Sequence, residues 1–177
     1  MDKYLFNFKL KSIFVFLLLI LTINFSNVSA NPIIIETLDK LHNSLQEIGS
    51  RKITKDNIKK LNNVIEETYD IKKMSKIILG KHWVNANVNQ RESFIKKFTE
   101  FISSNYLKRF STISKLEIKY GKIKKINEKY TMAFTKLNFT KNDSLEINYL
   151  LIKNNEKWQI FDLLLDGSIS EIATKKS

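Results

Sequence analysis

The spacing of large apolar residues changes once along this chain, and that change limits what it can fold into. Before Ser114 they recur every three or four positions, and beyond it they alternate. The first pattern predicts amphipathic helices and the second half-buried strands. Ile34, Leu38, Leu41, Leu45 and Ile48 predict one helix, with Gly49 placed to stop it. Ile58, Leu61, Val64 and Ile65 predict a second over about residues 55–68. Asp70 is a good N-cap for a third, because its carboxylate can accept from free backbone N–H groups two or three residues on. Tyr69 and Met74 would staple that start, and Gly80 lies near its end. A fourth helix opens on one of two capping boxes, Asn87 with Gln90 or Asn89 with Glu92. Phe94, Phe98, Phe101, Ile102 and Tyr106 then predict its inward face.

The second half reads as strands. Leu116, Ile118 and Tyr120 alternate with charged residues until Gly121 breaks the run. The segment 130–140 places Ala133, Thr135, Leu137 and Phe139 on one side and Tyr130, Met132 and Phe134 on the other. Leu145, Ile147, Tyr149 and Leu151 share a face of the next strand, and Trp158, Ile160 and Asp162 begin the last. Turn residues separate these runs at Lys141-Asn142-Asp143-Ser144 and Asn154-Asn155-Glu156. Helices followed by an antiparallel meander give an α+β fold.

The first thirty residues predict a secretory signal peptide. Lys3, Lys9 and Lys11 form a basic start, Ile13 to Ile23 an apolar core, and Val28-Ser29-Ala30 a small-residue cleavage site. That core is shorter than the ~20 residues a spanning helix needs. Cleavage after Ala30 leaves residues 31–177 as a single domain. The absence of cysteine excludes thiolate metal sites, Cys nucleophiles, disulfides and an N-terminal lipid on cysteine. The net charge of +12 favours anionic partners, and export argues against nucleic acid among them.

Catalytic groups do not assemble in the sequence. His42 and His82 have no second ligand at metal spacing, so no metal site is expected, and both histidines are expected to be solvated. No phosphate-cradling glycine loop or nucleophile elbow is present. Asp162 and Asp166, four apart on a strand, would stand roughly 13 Å apart, too far for a glycosidase pair. No catalytic residue or cofactor is therefore expected. The 12 Phe, six Tyr and two Trp remain, and the strands carry large residues on both faces where a solid core needs one. Part of that surface is expected to line a cavity.

Tyr69-Asp70, Met74, Leu79-Gly80 and Trp83, then Gln90-Arg91, Phe94, Phe98 and Tyr106, form a pattern that resembles the MlaC family of periplasmic phospholipid-binding proteins, including its toluene-tolerance members. Asn148-Tyr149 and the series Trp158, Asp162, Asp166-Gly167 agree with it, so the resemblance runs from about Ile58 to Ser177. The chain departs from the pattern at Ser168, inserted before Ile169-Ser170, and at Thr174-Lys175-Lys176-Ser177, where the family usually continues.

The resemblance implies helices packed on a strongly curved antiparallel sheet, NTF2-like in general shape, with acyl chains between the layers. It implies a soluble periplasmic carrier that moves phospholipid between an outer-membrane lipoprotein complex and an inner-membrane ABC transporter, maintaining outer-membrane lipid asymmetry. No bond would be made or broken, and the headgroup would stay in solvent. On this chain the expected lipid-lining residues are Ile78, Leu79, Trp83, Phe94, Phe98, Phe101, Ile102, Tyr106, Met132, Phe134, Tyr149, Leu151 and Phe161. A bulky side chain at Leu151 is then expected to fill the lipid's space and spare the fold. Two other readings fit the residues: a secreted NTF2-like small-molecule-binding domain or enzyme, and a basic adaptor protein with a solid core.

Overall fold

The computed structural model describes residues 31–48, 54–140, 143–165 and 168–169, the last two by backbone alone. The predicted signal peptide, Gly49 and Asp166-Gly167 lie outside the described residues.

Helix α1 (Pro32–Ile48) begins with the Asn31 side chain accepting from the Ile33 N–H at 3.1 Å. Its buried residues are Ile34, Leu38, Leu41, Leu45 and Ile48, as the spacing predicts, and also His42. Helix α2 (Lys55–Thr68) is capped by the Thr54 hydroxyl, which accepts from the Asn57 N–H at 3.2 Å, and buries Leu61 and Ile65. The chain then runs beside the sheet as a single parallel bridge, Tyr69 to Ile160, before turning into α3 (Ile71–Leu79). Asp70 caps α3 as expected, accepting from the Lys73 N–H at 2.8 Å.

Gly80 joins α3 to the short α4 (Lys81–Asn85) at φ +51, ψ −121, a backbone conformation that L side chains rarely adopt. An added Cβ there would meet nothing within 4 Å, so the requirement for glycine is purely conformational. Gly80→Ala is expected to lower stability by about 1–3 kcal/mol in urea unfolding, with no loss of packing.

Of the two predicted capping boxes, Asn87 with Gln90 forms, both bonds measuring 2.9 Å, and it opens α5 (Val88–Phe110).

The sheet is an open meander, β1 (Glu117–Lys125), β2 (Tyr130–Asn138), β3 (Ser144–Asn154), β4 (Lys157–Leu165) and β5 (Ser168–Ile169), with neighbours in chain order and antiparallel. Gly121 does not end β1. The register shifts between Tyr120 and Ile123, so the glycine sits in a bulge and the strand continues. Asn155 makes the β3–β4 turn at φ +54, a conformation asparagine tolerates.

Directly paired residues share a face of the sheet. Thr131, Ala133, Thr135 and Leu137 pair with Leu151, Tyr149, Ile147 and Leu145 on the face turned to the helices. Tyr130, Met132 and Phe134 pair with Ile152, Leu150 and Asn148 on the opposite face. Strand β4 does not hold one alternation. Leu151 pairs with Ile160 but Leu150 with Asp162, so Phe161 bulges out. Leu163 and Leu165 take over the core face after that bulge, and Asp162 leaves the Trp158–Ile160 face on which simple alternation placed it.

Helices α1, α2 and α3 lie against β4, and α5 packs across those three helices. The core between the layers joins Ile34, Leu38 and Leu41 of α1 to Leu61 and Ile65 of α2 and to Tyr149, Leu151 and Ile160 of the sheet. Thr37 fixes α1 to the sheet by donating to the Trp158 carbonyl at 2.9 Å. Among the described residues no helix is long and apolar enough to cross a membrane.

Candidate functional site

A line of polar groups crosses the apolar core, and composition gave no hint of it. His42 is fully buried, not solvated as expected from the sequence. Its Nδ1 lies 3.0 Å from the Tyr120 hydroxyl and its Nε2 2.9 Å from the Tyr149 hydroxyl. The Tyr120 hydroxyl also donates to the Asp39 carboxylate, which can only accept. Tyr120 must then accept from His42, so Nδ1 carries the proton and Nε2 accepts from Tyr149. Every proton in Tyr149–His42–Tyr120–Asp39 points the same way. Burial pushes the His42 pKa down from 6.5 to about 4, partly opposed by the Asp39 carboxylate, which keeps the ring neutral as this chain requires.

A second buried pair, the hydroxyls of Tyr69 and Tyr106, hydrogen-bonds nearby. Burial raises the pKa of Tyr69, Tyr106 and Tyr149, so all three stay protonated. One signal in the sequence pointed to His42. It stands four residues after Leu38 and three before Leu45, on the inward face of α1.

Several residues of the recurring pattern do structural work. Arg91 holds the α4–α5 corner, its guanidinium donating to the carbonyls of Trp83 at 3.0 Å and Val84 at 3.1 Å while lying 5.3 Å from the Trp83 ring. Trp83 is thereby buried as the packing partner of a cation. Asp70 and Gln90 are caps, and Gly80 is a conformational necessity.

The expected lining residues fall into three groups. Tyr149 and Leu151 are fully buried in the core, with no surface that water reaches from outside or from an internal void. Met132 and Phe134 lie on the opposite face of the sheet, whereas Phe161, at its bulge, packs half-buried against the core with its ring 5.4 Å from that of Tyr130. Ile78, Leu79, Phe94, Phe98, Ile102 and Tyr106 are half-buried on the helices, and Phe101 is 62% exposed. The fold brings the helical set together with the core but separates it from Met132 and Phe134.

Helix α5 is turned differently from the expected orientation. Its buried residues are Thr99, Ser103, Leu107 and Phe110. Phe94, Phe98 and Phe101 instead stack along its flank, with ring centroids 5.9 and 6.4 Å apart. A shallow, open surface lies beside Phe94, bounded by Gln90, Ser93 and Lys97 of the same helix. Phe98, Ile102, Tyr106, Leu163 and Leu165 pack on the core while remaining partly open, so they form the rim of the core.

A structure of the phospholipid-binding protein from Ralstonia solanacearum in complex with a phospholipid shares this fold, with a TM-score of 0.62 and 14% identity over 78% of each chain. A cystatin-like domain from Nostoc punctiforme aligns over 49% of this chain and 55% of its own with a TM-score of 0.29 at 14% identity, too low to bear on the fold. No curated protein matches the sequence. The family described as MlaC protein matches residues 35–177, all of the described helical and sheet layers but the first turn of α1. This chain belongs to the MlaC family.

Proposed function

We propose that the protein is a periplasmic phospholipid carrier, which binds the two acyl chains of one lipid and passes it between an outer-membrane lipoprotein complex and an inner-membrane ABC transporter. It works by binding alone, without cofactor or catalysis. Family membership and the fold shared with a phospholipid-bound protein support this reading.

The observation that carries it is the orientation of α5. As far as Ser103 the helix buries Thr99 and Ser103, with Leu107 and Phe110 buried only further on. It leaves stacked Phe94 and Phe98 half-buried and Phe101 exposed on its flank, where a solid core favours the apolar rings inside. An apolar ligand lying against Phe94, Phe98 and Ile102, and reaching the rim at Tyr106, Leu163 and Leu165, would cover that surface. Ile78, Leu79 and Phe161 would extend the wall, with Tyr149 and Leu151 as its floor once the layers part. Each buried CH₂ contributes about 0.8 kcal/mol. Two chains of roughly 16 carbons therefore oppose transfer through water by more than ~20 kcal/mol, and a carrier with apolar walls removes most of that barrier.

Protein recovered from the periplasm without added lipid is expected to begin at Asn31 and to release one diacyl phospholipid per chain on organic extraction. Native mass spectrometry reads both. Protein that emerges empty and takes up no lipid from phospholipid vesicles would overturn the carrier reading. A full-length mass in the membrane fraction would overturn cleavage.

A further inference from the structure

Lys73 stands where local rules disfavour a lysine. It lies in the first turn of α3, at the positive end of the helix, next to a second lysine, Lys72. The residue is half-buried, yet its ammonium forms no ion pair among the described residues. Two aromatic rings and a hydroxyl hold it instead. Nζ is 5.3 Å from the centroid of Tyr130, 5.0 Å from that of Phe161 and 3.4 Å from the Tyr130 hydroxyl. The nearest acid in sequence, Asp70, is occupied elsewhere: one oxygen accepts from the Lys73 N–H and the other from the Asn154 amide at 2.9 Å.

This arrangement fixes a cation without neutralising it. The rings hold the ammonium in place by attraction to their faces, and the hydroxyl uses one of its three protons. The remaining donors and the dipole of α3 add to the same positive field. One turn further along that helix face comes Ile77, with Ile78 beside it, both half-buried and apolar. Going up α3, the sequence passes within one turn from a cation with no ion pair among the described residues to greasy side chains. A phospholipid makes the same transition from its phosphate to its acyl chains.

We infer that Lys73, seated on Tyr130 and Phe161, is an anion site that takes the phosphodiester of a bound phospholipid. This rests on the carrier reading above and adds to it a fixed polar end. The headgroup beyond the phosphate stays in water, so the site selects for the phosphate and not for the alcohol esterified to it.

The test uses the mature protein and three soluble probes: dihexanoyl-phosphatidylglycerol kept below its micelle concentration, dihexanoylglycerol, which lacks the phosphate, and inorganic phosphate. Affinities are measured by titration calorimetry. Lys73→Met keeps the aliphatic stem over the rings and removes the charge. It is expected to weaken the phospholipid by about tenfold, as loss of one charge-assisted hydrogen bond would, and to leave dihexanoylglycerol unchanged. Lys73→Arg should restore the phospholipid affinity, and Lys72→Met should change neither probe. Circular dichroism checks that each variant is folded.

Unchanged phospholipid binding in Lys73→Met, or equal loss of both lipids, overturns the headgroup site and leaves the carrier reading standing. Inorganic phosphate that binds as tightly as the phospholipid and is lost in Lys73→Met identifies a site for the free ion and also overturns the assignment. Failure of the wild-type protein to bind either lipid overturns the carrier reading itself.

Discussion

Leu151→Arg is expected to unfold the domain. Leu151 is 0% exposed, and its strand neighbours Thr131 and Ile160 are buried with it. Losing a buried leucine of this kind costs about 2–5 kcal/mol, and a buried charge with no partner adds several more. A domain's whole stability is about 5–15 kcal/mol, so the sum removes most or all of it. Far-UV circular dichroism should show lost structure and urea titration no cooperative transition. Leu151→Ala should remain folded and lose about 2–5 kcal/mol. The sequence alone suggested that a bulky residue here would occupy the lipid's space harmlessly. With no water-accessible void beside Leu151, that space does not exist until the layers separate. A Leu151→Arg protein with a normal spectrum and a sharp transition would show that the helices part from the sheet easily enough to admit the guanidinium.

Acid is expected to weaken the fold through His42. Its pKa is lowered from 6.5 to about 4 because the buried ring is costly to charge. The unfolded chain therefore takes up a proton at a pH where the folded one does not. The stability due to the neutral ring is complete above 6.5 and is lost as pH falls through that value toward about 4. The limiting loss is about 3 kcal/mol. Urea midpoints between pH 7 and 4 measure it. His42→Phe should flatten that slope. It should also lower stability at pH 7 by about 1–3 kcal/mol, since the buried Tyr149 hydroxyl loses its acceptor. Equal losses in wild type and His42→Phe between pH 7 and 4 would assign the acid sensitivity to other groups.

Local chemistry was legible in the sequence. The change of period after Ser114 set helices before strands, and the apolar spacing of α1 and α2 named Ile34, Leu38, Leu41, Leu45, Leu61 and Ile65 as core. The Asp70 cap, the Asn87–Gln90 box and the Asn155 turn depend on contacts a few residues apart, so a short stretch of sequence specifies them. The motif that marked the family largely records such local requirements, at Asp70, Gly80, Gln90 and Arg91. The exposure of Phe101, the burial of Thr99 and Ser103, the bulge at Phe161 and the enclosure of His42 depended on partners far along the chain. Apolar spacing says that α5 has a greasy stripe, but only the placement of α1, α2 and α3 decides which side of α5 meets them. Alternation predicts one face for β4, but pairing with β3 imposes the bulge that reverses it. A histidine on an apolar helix face is costly or stable according to whether two tyrosine hydroxyls arrive from 78 and 107 residues away to complete its hydrogen bonds.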